Sequence, residues 1–144
     1  MGIYEKSDIG VVWKLLQYVS PMGRRAIDDW RADQTDAGKA DLDVFLRNIT
    51  KKSQWAYPDM SSLSGKHLKD FRELRWRSGG VPHRIGGYFA APDEFVMLIG
   101  WTHNAKKYTP PDALESLVKR RNRLIKGEAS LCEYGIYTGT AAKK

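Results

Sequence analysis

FRELRWRSGGVPHRIGGYFAAPDEFVMLIGW, residues 71–101, reads as three strands in succession. In FRELRWR (71–77), Leu74 and Trp76 fall on one face, and Glu73, Arg75 and Arg77 on the other. Ser78-Gly79-Gly80 is a turn. PHRIGGYFA (82–90) is a second strand, in which Gly86-Gly87 marks a bulge or a close backbone approach. After the turn APDE, FVMLIGW (95–101) is almost wholly apolar, which predicts a central strand covered by helices on one face. Turns this short favour an antiparallel meander.

Working upstream, residues 56–66 (AYPDMSSLSGK) read as loop. Before them, Leu42, Phe45, Leu46 and Ile49 recur at i, i+3, i+4 and i+7, which predicts an amphipathic helix from about Lys39 to Gln54. Ser20-Pro21 reads as the start of an earlier helix with Ala26, Ile27 and Trp30 on its buried side. A short link makes the two helices a hairpin. VVWKLLQYV (11–19) is a buried or edge strand. Downstream, Thr109-Pro110 repeats the helix-start signal, and a helix from about Pro111 to Lys126 ends at Gly127.

The order β-α-α-β-β-β-α predicts an α+β fold, a single antiparallel-dominated sheet packed against helices. Residues 1–127 form one domain in this reading, and 128–144 an irregular C-terminal tail.

The chain has 144 residues, 42% hydrophobic, with sixteen aromatics, enough for a core without disulfide or metal support. Its one cysteine, Cys132, suits a reducing cytoplasm. No apolar run reaches the roughly 18 residues of a membrane span, and MGIYEKSDIG lacks the apolar core of a signal peptide. One Cys and three scattered His (His67, His83, His103) do not make a zinc cluster. No GxxxxGK[ST] or GxSxG is present, and no cofactor or metal is expected.

The net charge of +7 is localised. Residues 1–62 balance, whereas residues 63–126 carry thirteen bases against six acids. Such a footprint suits a polyanion partner. The alternation puts Arg75 and Arg77 on the sheet face opposite the helices, with Arg84 on the next strand. The exit from the third strand supplies His103, Lys106, Lys107 and Tyr108. Guanidinium forks suit a phosphodiester and the charge added in its transition state, and a His, Tyr or Lys can move protons. No acid cluster offers a metal site, so the 2′-hydroxyl of RNA is the natural nucleophile. The same arginines have a second reading, as a solvated face paired with Glu73, Asp93 or Glu94. Lys119-Arg120-Arg121 and Arg123 read as an exposed helix face.

The string LKDFRELRWRSGGVPHR (68–84) resembles the second and third strands of the RelE/ParE toxin superfamily. FVMLIGWTHNAKKYTPPDALESLVKRRNRL (95–124) resembles the close of its HigB-like, phage-derived branch: an apolar strand, a Lys-Lys exit, Thr-Pro, then an amphipathic helix. The match spans roughly residues 10–127. It implies the toxin of a toxin–antitoxin pair, a metal-free mRNA endoribonuclease acting on ribosome-bound mRNA. The attack by the 2′-hydroxyl leaves a cyclic phosphate and a 5′-hydroxyl. The implied catalytic residues are Arg84, Tyr108, His103 and Arg75. The implied RNA-binding residues are Arg77, Lys106, Lys107, Lys69 and Arg72. The implied partners are a cognate helix-turn-helix antitoxin, mRNA and the ribosome, with no membrane. Two positions depart from the pattern: Glu73, where some members carry a base, and Trp101-Thr102-His103 at the exit. The alternative is a non-catalytic binding module, such as a ParE-like gyrase inhibitor or a phage host-takeover protein.

Overall fold

The computed structural model describes residues 4–5, 13–104 and 107–138. Its strands are β1 (Tyr4–Glu5), β2 (Lys14–Val19), β3 (Gln54–Trp55), β4 (Met60–Ser62), β5 (Arg72–Ser78), β6 (Val81–Ala91), β7 (Glu94–Asn104), β8 (Lys107–Thr109) and β9 (Ser130–Glu133). Its helices are α1 (Ala26–Ala32), α2 (Asp36–Ile49) and α3 (Ala113–Ile125). The fold is α+β, with a mixed, mostly antiparallel sheet in the order β4-β5-β6-β7-β2-β9; β8 pairs with the end of β7, and β1 pairs with β3 apart from the sheet.

β5, β6 and β7 form the expected antiparallel meander. β2 lies beside β7 and parallel to it, with Lys14 opposite Glu94, so the N-terminal strand is interior. Both faces of the sheet are covered. On one, α1 and α2 bury Ile27, Leu42, Leu46 and Ile49 against Leu74, Ile85, Phe95 and Met97. On the other, α3 packs Ala113 and Leu117 against Val96, Leu98, Ile99 and Trp101. The face opposite the helix pair is therefore not bare, as the sequence reading had it. α3 crosses β7 and leaves the β5 side open.

The glycine signal at 86–87 is a bulge. Gly86 faces Ile99 and Gly87 faces Met97, so β7 carries one extra residue, Leu98. A bulge reverses the phase of a strand beyond it. Before it, Phe95 and Met97 point to the helix pair; beyond it, Ile99 and Trp101 point to α3. A Cβ on Gly87 would lie 1.8 Å from the Val96 carbonyl oxygen, and one on Gly100 would lie 2.3 Å from the Trp30 ring.

Five local expectations change. The helix read from about Lys39 to Gln54 runs Asp36–Ile49, and Gln54 lies in β3. Ser20-Pro21 opens a turn, not a helix: the Ser20 hydroxyl accepts from the backbone N–H of Met22 and Arg24. α1 begins at Ala26 because buried Gln17 on β2 caps it. The Gln17 Oε1 accepts from the N–H of Ile27 and Asp28, each at 3.0 Å. Residues 56–66 contain β4, which pairs with the first half of β5. Thr109 belongs to β8, and α3 starts three residues past Pro110. At the other end, Gly127 (φ +76°) closes α3 as read, with Glu128 N–H donating to the Arg123 carbonyl.

The tail also departs from its irregular reading. β9 pairs antiparallel with β2, and Tyr134, Ile136 and Tyr137 join the core over the helix pair. Tyr137 lies under the Arg31 guanidinium, 3.7 Å from its ring centroid, and its carbonyl accepts from Arg47. Arg31 in turn makes a buried bidentate pair with Asp43. Among the described residues, no helix is long and apolar enough to cross a membrane.

Two measurements test this core. Gly87→Ala should destabilise the fold by about 3 kcal/mol in urea unfolding, since the backbone of Val96 blocks the methyl. Gly135→Ala, with open space around it, should stay within about 0.5 kcal/mol. Equal effects would remove the close approach from the account. Burial raises the Tyr134 hydroxyl well above its ordinary value, helped by Asp28 and Asp43, and the hydroxyl has no hydrogen-bond partner among the described residues. A raised folded value gives stability that is complete below about pH 10 and lost as pH climbs further. Tyr134→Phe should therefore match or exceed the parent melting temperature at pH 7 and fall less steeply above pH 10.

Candidate phosphate-binding face

β5 and β6 place Arg75 and Arg84 directly opposite each other across the ladder, and Arg84 faces Trp101 on β7. Leu74 and Ile85 occupy the helix-pair core, so both arginines project to the α3 face. Trp101 lies in the α3 core, which makes Arg75, Arg84 and Trp101 one row across three strands. β8 adds the next position: Tyr108 pairs with His103 and stacks on Trp101, ring centroids 5.9 Å apart and 24° between planes. The His103 ring meets Tyr108 edge-on at 4.6 Å. All four residues read as catalytic candidates thus share one face, and Tyr108 is close enough to act electrostatically on Arg84.

Like charges directly opposite on a sheet repel, so the arginine pair needs an acid. Glu73, one step along the same face, supplies it. Its carboxylate lies 3.6 Å from Arg84 Nε and 4.0 Å from Arg75 Nε, and accepts a hydrogen bond from the Ser61 hydroxyl at 3.0 Å. Ser61 comes from β4, the strand absent from the sequence reading. Of the three acids considered as partners for Arg75 and Arg77, Glu73 reaches Arg75, whereas Glu94 lies 3.8 Å from Lys14. The Arg84 side chain is only 15% exposed. Burial pulls its guanidinium below the ordinary value, Glu73 opposes that fall, and Arg75 and Arg77 add to it. Sequence reasoning placed Glu73 on this face only as a counter-ion. Its role as the shared anchor of two strands depends on the cross-strand register.

The remaining candidates scatter. Arg77 sits at the open end of β5 and donates to the Gly80 carbonyl at 2.7 Å. Lys107 is exposed on β8 beside the face, and Lys106 lies outside the described residues. Arg72 has the parity of Leu74, which points it to the other face, and its guanidinium donates to the carbonyls of Lys69 and Phe71. Lys69 is exposed at the other end of β5 from Arg77. Neither Lys69 nor Arg72 belongs to the row.

The basic run on α3 is not a uniformly exposed face. Arg120 reaches across to donate to the Leu98 carbonyl at 2.7 Å, in the gap along β7 between β2 and β8. Arg121 lies over the Phe71 ring, 3.7 Å from Asp70. Among the described residues, no group of three or more His, Cys, Asp or Glu is arranged to hold a metal ion.

The row presents two guanidinium forks to a phosphate, with the His103 imidazole one strand and the Tyr108 phenol two strands further along the same face. No family model matches the chain, and no curated protein or solved structure shows significant similarity to it.

The anchoring role of Glu73 is measurable. Glu73→Gln should cost about 1–2 kcal/mol, because it leaves two opposed arginines without their counter-charge. The double variant Glu73→Gln/Arg84→Gln should recover part of that loss in thermal unfolding. Additive losses would show that Glu73 and Arg84 do not interact.

Proposed function

We propose that this chain is a RelE/ParE-type toxin that cleaves RNA by 2′-hydroxyl attack, acts on ribosome-bound mRNA, and is held inactive by a cognate helix-turn-helix antitoxin. The observation that carries this reading is the single row of Arg75, Arg84, Trp101 and Tyr108 with His103 at its end. The resemblance of residues 68–84 and 95–124 to the superfamily agrees with it.

In this mechanism Arg84 and Arg75 bind the two non-bridging oxygens of the scissile phosphate. They gain strength as the phosphorane builds negative charge, which is the condition for lowering the barrier. The 2′-oxygen attacks phosphorus and gives up its proton. The bond from phosphorus to the 5′-oxygen breaks, and that oxygen takes a proton. Tyr108 and His103, side by side, are the groups that hold and move these protons. Glu73 keeps both guanidinium groups aimed at one point and is a positioning residue. Lys107 and Arg77 flank the row and draw in the strand. The products are a 2′,3′-cyclic phosphate and a 5′-hydroxyl.

The test uses purified protein with an RNA oligonucleotide and with ribosome-bound mRNA. Cleavage should persist in EDTA, leave cyclic phosphate ends, and stop when the scissile 2′-hydroxyl is replaced by hydrogen. Arg84→Ala should slow it by ~10²–10³-fold. Cleavage that needs a divalent ion, or that proceeds on the deoxy substrate, would overturn the mechanism. RNA binding without cleavage would favour a non-catalytic module.

Affinity for single-stranded RNA should fall with salt at a slope of roughly −3 to −4, from about 0.7 per phosphate over four to six contacts. A salt titration of a Tyr108→Phe/His103→Ala variant reads it directly. An antitoxin laid across this face should weaken RNA binding in the same titration. A partner that leaves the RNA affinity unchanged would place its contact elsewhere.

A further inference from the structure

β4 covers only the first half of β5. Beyond it the sheet edge opens into a cavity of about 400 Å³ that begins at the arginine row and turns round the edge to the helix-pair side. We infer that this cavity seats the nucleobase adjoining the phosphate bound by Arg75 and Arg84, an inference that rests on the RNA-binding reading above.

The cavity is lined by cations on one side and by apolar and aromatic groups on the other. Arg75, Arg77 and Arg84 form one wall, while Phe45, Trp76 and Pro58 form the other. Phe45 and Trp76 stack at 4.7 Å, giving a flat, rigid surface of the kind bases lie on. Next to the lining residue Pro58, Tyr57 is 61% exposed, and the Arg75 guanidinium sits 5.0 Å from its ring centroid. An exposed ring beside a guanidinium is a stacking platform for an unpaired base.

Trp76 and Arg75 line the cavity, and Trp76 Nε1 and Arg75 Nε are buried with no hydrogen-bond partner among the described residues. Buried donors are rarely left unpaired, and a small turn of either side chain toward a bound base would pair it. A nucleotide can set its phosphate on the arginines and its base on the rings, and inorganic phosphate has no such second part. Asp59 completes the wall with a carboxylate already bonded to Lys52. A carboxylate has lone pairs for further donors, and guanine presents two N–H groups side by side to it. The site therefore favours guanine.

The probes are the four nucleoside 5′-monophosphates and inorganic phosphate, titrated into ¹⁵N-labelled full chain. Trp76→Phe identifies the Trp76 indole signal by its loss. Nucleotides should move the Trp76 indole and Arg75 Nε signals, and phosphate should move the Arg84 and Arg75 signals but leave Trp76 still. Guanosine monophosphate should bind tightest, and Asp59→Asn should erase that preference. Tyr57→Ala, an exposed change, should weaken nucleotide binding roughly tenfold and leave phosphate affinity unaltered.

If nucleotide and phosphate move Trp76 alike, or Tyr57→Ala weakens both equally, the base site is overturned. If guanosine monophosphate is not first, Asp59 has no part in it. Base binding by a chain that never cleaves RNA would leave this inference standing and remove the nuclease. Cleavage with a silent Trp76 would do the reverse.

Discussion

Leu98, the extra residue that β7 carries opposite Gly86-Gly87, is the constraint on which the arginine face depends. If Leu98 were paired regularly instead of bulged, the strand would keep one phase from Phe95 to Asn104. Trp101 and His103 would then point to the helix pair, and Tyr108, which pairs with His103, would follow. Arg75 and Arg84 would remain on the other face without the phenol and the imidazole. The bulge needs glycine because Gly87 lies against the backbone of Val96, closer than any side chain permits. A packing requirement in the centre of the sheet thus decides what chemistry gathers at its end.

Small residues opposite large ones recur through the core. Gly86 gives room to Leu117 and Trp101, and Gly100 gives room to Trp30. Through these contacts α3 and α1 come close to opposite faces of β7, and the strand is buried along most of its length. Polar groups tie the same layers together at single points. Gln17 holds the start of α1 from within the sheet, and Arg120 ties α3 to the Leu98 carbonyl. Both side chains answer backbone groups that secondary structure leaves unpaired.

What could be read from the chain follows the range of the interactions. Alternation in FRELRWR and the apolar run FVMLIGW reflect local burial, and both strands appear where expected. The four- and three-residue spacing of Leu42, Leu46 and Ile49 likewise reports one buried helix face. The shared face of Arg75 and Arg84 was legible because alternation and a short turn fix their register, whereas the side on which His103 and Tyr108 fall depends on the Leu98 bulge. The start of α1 was not, since its cap comes from Gln17, on another strand. Tyr134 and Tyr137 show no period because Arg31, Arg47 and β2 hold them, all distant in sequence. Lys69 and Arg72 are basic residues in a basic segment, and charge alone does not say which way a side chain turns. Ser61, which donates to Glu73, lies in a stretch whose Ser, Pro and Gly content reads as loop.

The parallel pairing of β2 with β7 also fixes an order of assembly. α1, α2 and β2 precede the meander in the chain, yet β2 has no interior partner until β7 exists. Closing that long loop costs entropy before any contact repays it. During synthesis the N-terminal third therefore waits, with apolar surface uncovered, for the meander to emerge. The arginine face, built from β5 to β8, is encoded complete before β9 arrives to pair with β2. The last strand pairs with β2 on the far side of the sheet from that face, so it stabilises the molecule without touching its chemistry.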